Sequence, residues 1–158
     1  MSIMLKVNSY IKDKDSFIPV SRFDGEISDP RYIEGAVEIK YQNKIILPIE
    51  AWDYVDTLWS YFISGLEEVI TGNKFETYLP DQPILITFKP DSNFQNISIE
   101  VGEPINQKAN VEYDDFLCMM LKEAKIFFRQ MNILLSNYQV SYTQELEDLK
   151  LLEQKYLK

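Results

Sequence analysis

Few side chains in this 158-residue chain could carry out chemistry. It has no histidine and a single cysteine, Cys118. That removes the commonest general base, the commonest transition-metal ligand and every Ser-His or Cys-His relay. One cysteine also cannot close an internal disulfide. The close carboxylate pairs are Asp53 with Asp56 and Asp114 with Asp115. Such pairs can share a proton or contribute to a divalent-ion site. Each, however, opens an expected helix, where carboxylates satisfy unpaired backbone amides and complement the helix dipole. There is no Asp-x-Asp-x-Asp loop and no glycine-centred calcium pattern. Cys118 falls on a polar arc with Lys122 and Lys125, but without a second thiol or a histidine it has no relay. No serine sits in a G-x-S-x-G turn, and the 5 glycines form neither G-x-G-x-x-G nor a Walker loop. The expectation is a protein that is not an enzyme, with no catalytic residue, no metal and no cofactor.

Charge is the next informative quantity. The net charge is −9, and residues 52–121 carry 3 basic against 12 acidic side chains, whereas residues 1–51 carry 7 and 8 and residues 122–158 carry 6 and 5. The excess negative charge is therefore concentrated in the middle of the chain, interleaved with Trp52, Tyr54, Trp59, Tyr61, Phe75, Tyr78 and Phe94. Such a field repels phosphate backbones and anionic lipid, so neither nucleic acid nor membrane is an expected partner. A protein with a basic surface is. Plain solubility would account for the same charge without any partner. Within this region Tyr54, Tyr61, Glu67, Glu68, Tyr78 and Asp81 are the candidate partner-binding residues. The apolar runs are too short to cross a bilayer, and lysines and aspartates interrupt residues 1–20, so there is no signal-peptide core and a cytoplasmic location is expected.

No repeat, low-complexity tract or Pro/Gly-rich linker divides the chain, so residues 1–158 are read as one domain. Period-2 alternation marks strands at Ile3, Leu5 and Val7, from Ile33 through Val37 and Ile39 to Tyr41, at Ile84, Ile86 and Phe88, and at Ile97, Ile99 and Val101. Tyr41-Gln42-Asn43-Lys44 should be a tight hairpin turn with positive φ at Asn43, leading into Ile45-Ile46-Leu47. Residues 12–32 signal only weakly. Phe17-Ile18-Pro19-Val20 fits an edge strand, because Pro19 cannot donate to a central ladder.

The first helix should start at Asp53, whose carboxylate would accept from the amide of Asp56, and stop at the left-handed Gly72. A second should run from about Asp114 to Ser136, with a broad core face and a separate stripe of Met119, Ile126 and Ile133. A third, residues 143–158, has Thr143 as its cap and Leu146, Leu149, Leu152, Tyr156 and Leu157 on one side. At 1.5 Å per residue it is about 22 Å long and matches the stripe, so an antiparallel helical hairpin covering that stripe is expected, with a homodimer contact as the alternative. The fold class is α+β: an antiparallel twisted sheet of about five to seven strands, two long helices on one face and the C-terminal helix packed on the second.

The run Trp52-Asp53-Tyr54-Val55-Asp56-Thr57-Leu58-Trp59, with Gly65-Leu66-Glu67-Glu68 and Tyr78-Leu79-Pro80-Asp81-Gln82-Pro83, resembles an uncharacterised domain of small acidic bacterial proteins over residues 33–135. That resemblance implies no catalytic residues. In style rather than motif, a small acidic α+β protein without catalytic machinery is similar to the immunity proteins of bacterial polymorphic toxins. The function expected is thus non-catalytic binding of a basic protein, of immunity or antitoxin type. A small-molecule-binding domain or a structural subunit of a homo-oligomer are the alternatives.

Overall fold

The computed structural model describes residues 4–156. Ile3 and Leu157, assigned above to the first strand and the last helix, lie outside them. The chain is α+β, with all strands antiparallel. It begins with β1 (Leu5–Asp13), β2 (Ser16–Pro19), β3 (Glu34–Tyr41), β4 (Lys44–Leu47) and β5 (Asp53–Tyr54), followed by α1 (Val55–Ile70). Next come β6 (Phe75–Tyr78), β7 (Leu85–Pro90), β8 (Asn96–Val101), β9 (Gln107–Glu112), α2 (Tyr113–Leu134) and α3 (Thr143–Tyr156).

The strands divide between two sheets instead of forming one. The first has the order β2-β1-β3-β4, with β5 also pairing β3, and the second is the meander β6-β7-β8-β9. The two meet where β4 lies against β8 and β9, and there Lys44 Nζ donates to the Lys108 carbonyl at 2.6 Å. Period-2 alternation reports which face of a strand is buried but not which sheet the strand joins, so the division could not be seen in the pattern. β2 is the edge strand that its proline required, with Pro19 opposite Tyr10. In the β3–β4 turn the positive φ belongs to Gln42, at 56°, and not to Asn43.

Both long helices pack on both sheets, and the buried residues of sheets and helices form one hydrophobic cluster. At its centre Phe88 lies 5.4 Å from Phe62, 4.9 Å from Phe116 and 5.9 Å from Phe75 between ring centroids. Gly65 is required here: a Cβ would come within 2.6 Å of the Phe75 ring, so only a glycine lets β6 lie this close to α1. α1 stops at Gly72, with φ of +91°, as the sequence demanded.

α3 packs on α2, but also on α1, and it does not cover the expected stripe. Its contacts to α2 run through Asp114, which accepts from Tyr156 Oη at 3.0 Å, Lys125, whose Nζ lies 2.6 Å from Glu153, and Asn132, whose Oδ1 accepts from the Tyr142 amide at 2.7 Å. Those positions lie roughly 100° around the helix from Met119, Ile126 and Ile133. Ile133 is accordingly 68% exposed, and Met119 and Ile126 are half-buried beside β1. Length matching between helix and stripe misled because it tests only α2 as the partner, whereas α3 docks against both α1 and α2, where Leu149 and Leu152 are completely buried.

Candidate functional site

Two stretches distant in sequence meet at the start of α1. Glu34 pairs with Tyr54 and Gly35 with Asp53, and the Val55 amide donates to the Ile33 carbonyl at 2.9 Å, so β5 runs directly into the helix. Gly35 permits the approach. A Cβ there would lie 2.1 Å from the Tyr10 carbonyl oxygen and 2.8 Å from Val55 Cγ1, and backbone cannot move aside.

This junction redirects Asp53. The helix begins at Val55 with Tyr54 as its N-cap and no side-chain cap, so Asp53 stands one residue too early to bond the Asp56 amide as expected. Instead its carboxylate is buried, 4% exposed, and accepts from the amide of Tyr54 at 2.7 Å through Oδ1 and from the amide of Asp81 at 3.0 Å through Oδ2. Gln82 adds a second tie, its Nε2 donating to the Trp52 carbonyl at 2.6 Å. The Pro80–Pro83 turn is thus braced against β5 by two consecutive residues. A buried carboxylate with both oxygens engaged by backbone amides is a positioning element.

The brace shapes a cleft of about 260 Å³ walled by Glu34, Glu50, Trp52, Tyr54 and Asp81. Its aromatic side continues into Tyr32, 56% exposed, whose ring centroid lies 5.6 Å from that of Tyr54. The field is negative. Desolvation, together with the carboxylates of Asp81, Glu34 and Asp53, pushes the Tyr54 phenol above its ordinary range. Two cations approach the rim: Lys12 Nζ stands 4.7 Å from the Trp52 centroid, and Arg31, bound to Asp29 at 3.1 Å, lies 5.7 Å from Tyr32. Both rest over aromatic rings, the geometry of cation–π contacts. At about 260 Å³ the cleft lies just below the roughly 300–1,000 Å³ common for ligand pockets.

Of the six candidate residues, Tyr54 and Asp81 come together here. Tyr78, 59% exposed on β6, stands near the same turn. Tyr61, Glu67 and Glu68 are exposed along α1, and at 1.5 Å per residue Glu67 is about 18 Å beyond Val55, too far to share the cleft. Glu34, Glu50 and Tyr32 were missed because they precede the acidic stretch. A two-residue strand such as β5, which brings Glu34 beside Tyr54, leaves no periodic signal.

Cys118 is exposed on α2. Asp114 and Asp115 lie in the first turn of α2, and Asp56 in that of α1. Asp56 accepts from Tyr142 Oη at 2.9 Å. Among the described residues no three of the metal-ligating types come together to hold an ion, and no helix is long and apolar enough to cross a membrane. No family model matches the chain, and neither does any curated protein or solved structure.

Proposed function

We propose that the chain is a non-catalytic cytoplasmic binding domain whose partner is a protein with a basic surface, an immunity or antitoxin role being its concrete form. The observation that carries this reading is the convergence of Glu34, Glu50 and Asp81 around the half-buried rings of Trp52 and Tyr54, with the turn that carries Asp81 tied down by the buried Asp53. A lysine or arginine of the partner finds there both a negative field and aromatic faces. Rigidity matters because a preformed site avoids the entropy of ordering a loop on binding. Exposed Tyr61, Tyr78, Glu67 and Glu68 extend the same acidic, aromatic character outward from the cleft.

The experiment is affinity capture with the intact chain against its Tyr54→Ala and Asp81→Lys variants, followed by binding kinetics with the purified partner. A basic partner lost in both variants supports the reading. Capture of acidic proteins alone, or of a partner indifferent to both substitutions, refutes it.

A further inference from the structure

Along its first half β1 has no outer neighbour among the described residues, since β2 pairs only with Tyr10–Asp13 while β3 pairs with Leu5–Ile11. β2 goes no further because the chain turns away at Pro19, whose carbonyl accepts from the Phe23 amide. Antiparallel pairing alternates, and the Asp13–Ser16 pair closes a two-residue turn, so odd-numbered residues of β1 direct their N–H and C=O groups away from β3. Ser9 shows this directly. Its amide donates at 2.8 Å to Oε2 of Glu123 on α2, a carboxylate standing where the carbonyl of a neighbouring strand would be. Leu5 and Val7 present their backbone groups on the same side, recessed in a groove of about 640 Å³ between β1 and α2. Met119 and Ile126, the stripe that α3 leaves uncovered, form its apolar floor, and Lys6 and Lys122 its rim.

We propose that this edge receives an extended segment of a partner protein, added antiparallel along Leu5–Ser9, with apolar side chains over Met119 and Ile126 and an acidic side chain opposite Lys6. Backbone groups of this geometry are matched by another strand, and alternate side chains supply the specificity. Charge selects the occupant. A second copy paired through its own β1 about Val7 would place its Lys6 diagonally across from the first, with both Lys122 side chains nearby, and like charges at such positions repel. Glu123 guards the edge in the free chain. Its carboxylate occupies the Ser9 amide at 2.8 Å, so an incoming carbonyl must take that place. This inference is independent of the acidic cleft, which lies elsewhere on the molecule.

The test uses the full chain, ¹⁵N-labelled, titrated with the peptide acetyl-Thr-Val-Glu-Val-Thr-amide. Amide shifts confined to Lys6–Ser9 and their neighbours are expected. Changing the peptide's Glu to Lys should weaken binding about two- to fivefold, and Lys6→Glu, at an exposed position, should reverse that preference. Methylating the amide nitrogen of the peptide valine opposite Val7 removes one ladder hydrogen bond and should weaken binding about fivefold or more. Equal binding by the methylated peptide, shifts confined to other surfaces, or no shift at about 5 mM peptide would overturn the proposal. So would concentration-dependent self-association that shifts these amides without peptide, since the occupant would then be a second copy.

Discussion

The amide of Asp81 donates to Oδ2 of Asp53 at 3.0 Å, joining positions 28 residues apart in sequence. The acceptor is buried, and its other oxygen is taken by the amide of Tyr54. A carboxylate accepts at both oxygens, whereas an amide side chain turned into the same place presents an NH₂ group to one of two N–H donors. Asp53→Asn should therefore cost about 1–3 kcal/mol, the range for leaving a buried donor without its partner. It should also free the turn containing Asp81. Denaturant melts would measure the first effect, and amide exchange at Asp81 the second. An unchanged midpoint with Asp81 still protected would show that Gln82 alone holds the turn.

That bond also marks the limit of what the sequence disclosed. The apolar spacing from Val55 onward marked α1, and Gly72 its end, because a left-handed stop is local chemistry, whereas the expected Asp53 cap does not form. The edge position of Pro19 was equally legible, since a missing N–H constrains a strand whatever surrounds it. Asp53 was not, because its role depends on Gly35 bringing β3 and β5 together, a contact without periodic signature. Of the residues that wall the candidate cleft, the sequence singled out two as partner-binding, Tyr54 and Asp81. Glu34 arrived through strand pairing with Tyr54 and Glu50 through the turn ahead of β5, while the docking of α3 against both α1 and α2 is a relation that needs three dimensions.

Leu149 tests that docking. It is fully buried between α3 and the helices beneath, while Leu151, two residues on, is 54% exposed. Leu149→Ala should cost about 2–4 kcal/mol through lost burial and the cavity left behind, lowering the melting midpoint by several degrees. Leu151→Ala should stay within about 0.5 kcal/mol. Thermal melts of both variants at equal concentration check the contrast. Equal losses would mean that α3 is held by its rim, through Lys125 and Glu153, and not by its apolar side.

Asp56 should make stability depend on pH in an unusual direction. Burial raises its carboxyl above the ordinary range, and the hydrogen bond from Tyr142 offsets only part of that. The folded chain therefore binds this proton more tightly than the unfolded chain, whose aspartates titrate near pH 4. The stabilisation from this group is complete below that value and is lost as pH rises through the raised folded value. Burial and Asp56 itself push the Tyr142 phenol far up, so it stays a donor throughout. Asp56→Asn removes the titration and keeps an acceptor for Tyr142. The stability difference between parent and variant, from urea melts, should favour the parent most at about pH 4, decline toward neutrality and then level off. A difference that grows with pH would show that Asp56 is stabilised as the anion.

The proposed partner contact separates into residues that steer and residues that hold. Glu67 and Glu68 are exposed, far along α1 from the cleft, so reversing both charges should slow association, and that effect should fade as ionic strength rises from about 0.01 M to 0.15 M and the Debye length shrinks from roughly 30 Å to 8 Å. Tyr54 lies within the cleft against Tyr32. Truncating a buried aromatic anchor commonly costs about 2 kcal/mol or more, and most such losses appear in the dissociation rate. Tyr54→Ala should therefore speed dissociation about thirtyfold with little change in the salt dependence of association. Tyr61→Ala, outside the cleft, should change dissociation less than Tyr54→Ala does. Surface kinetics at two salt concentrations resolve all three variants. If the charge reversals changed only dissociation, or Tyr61→Ala exceeded Tyr54→Ala, the contact would be centred on the outer side of α1 and not on the turn that Asp53 braces.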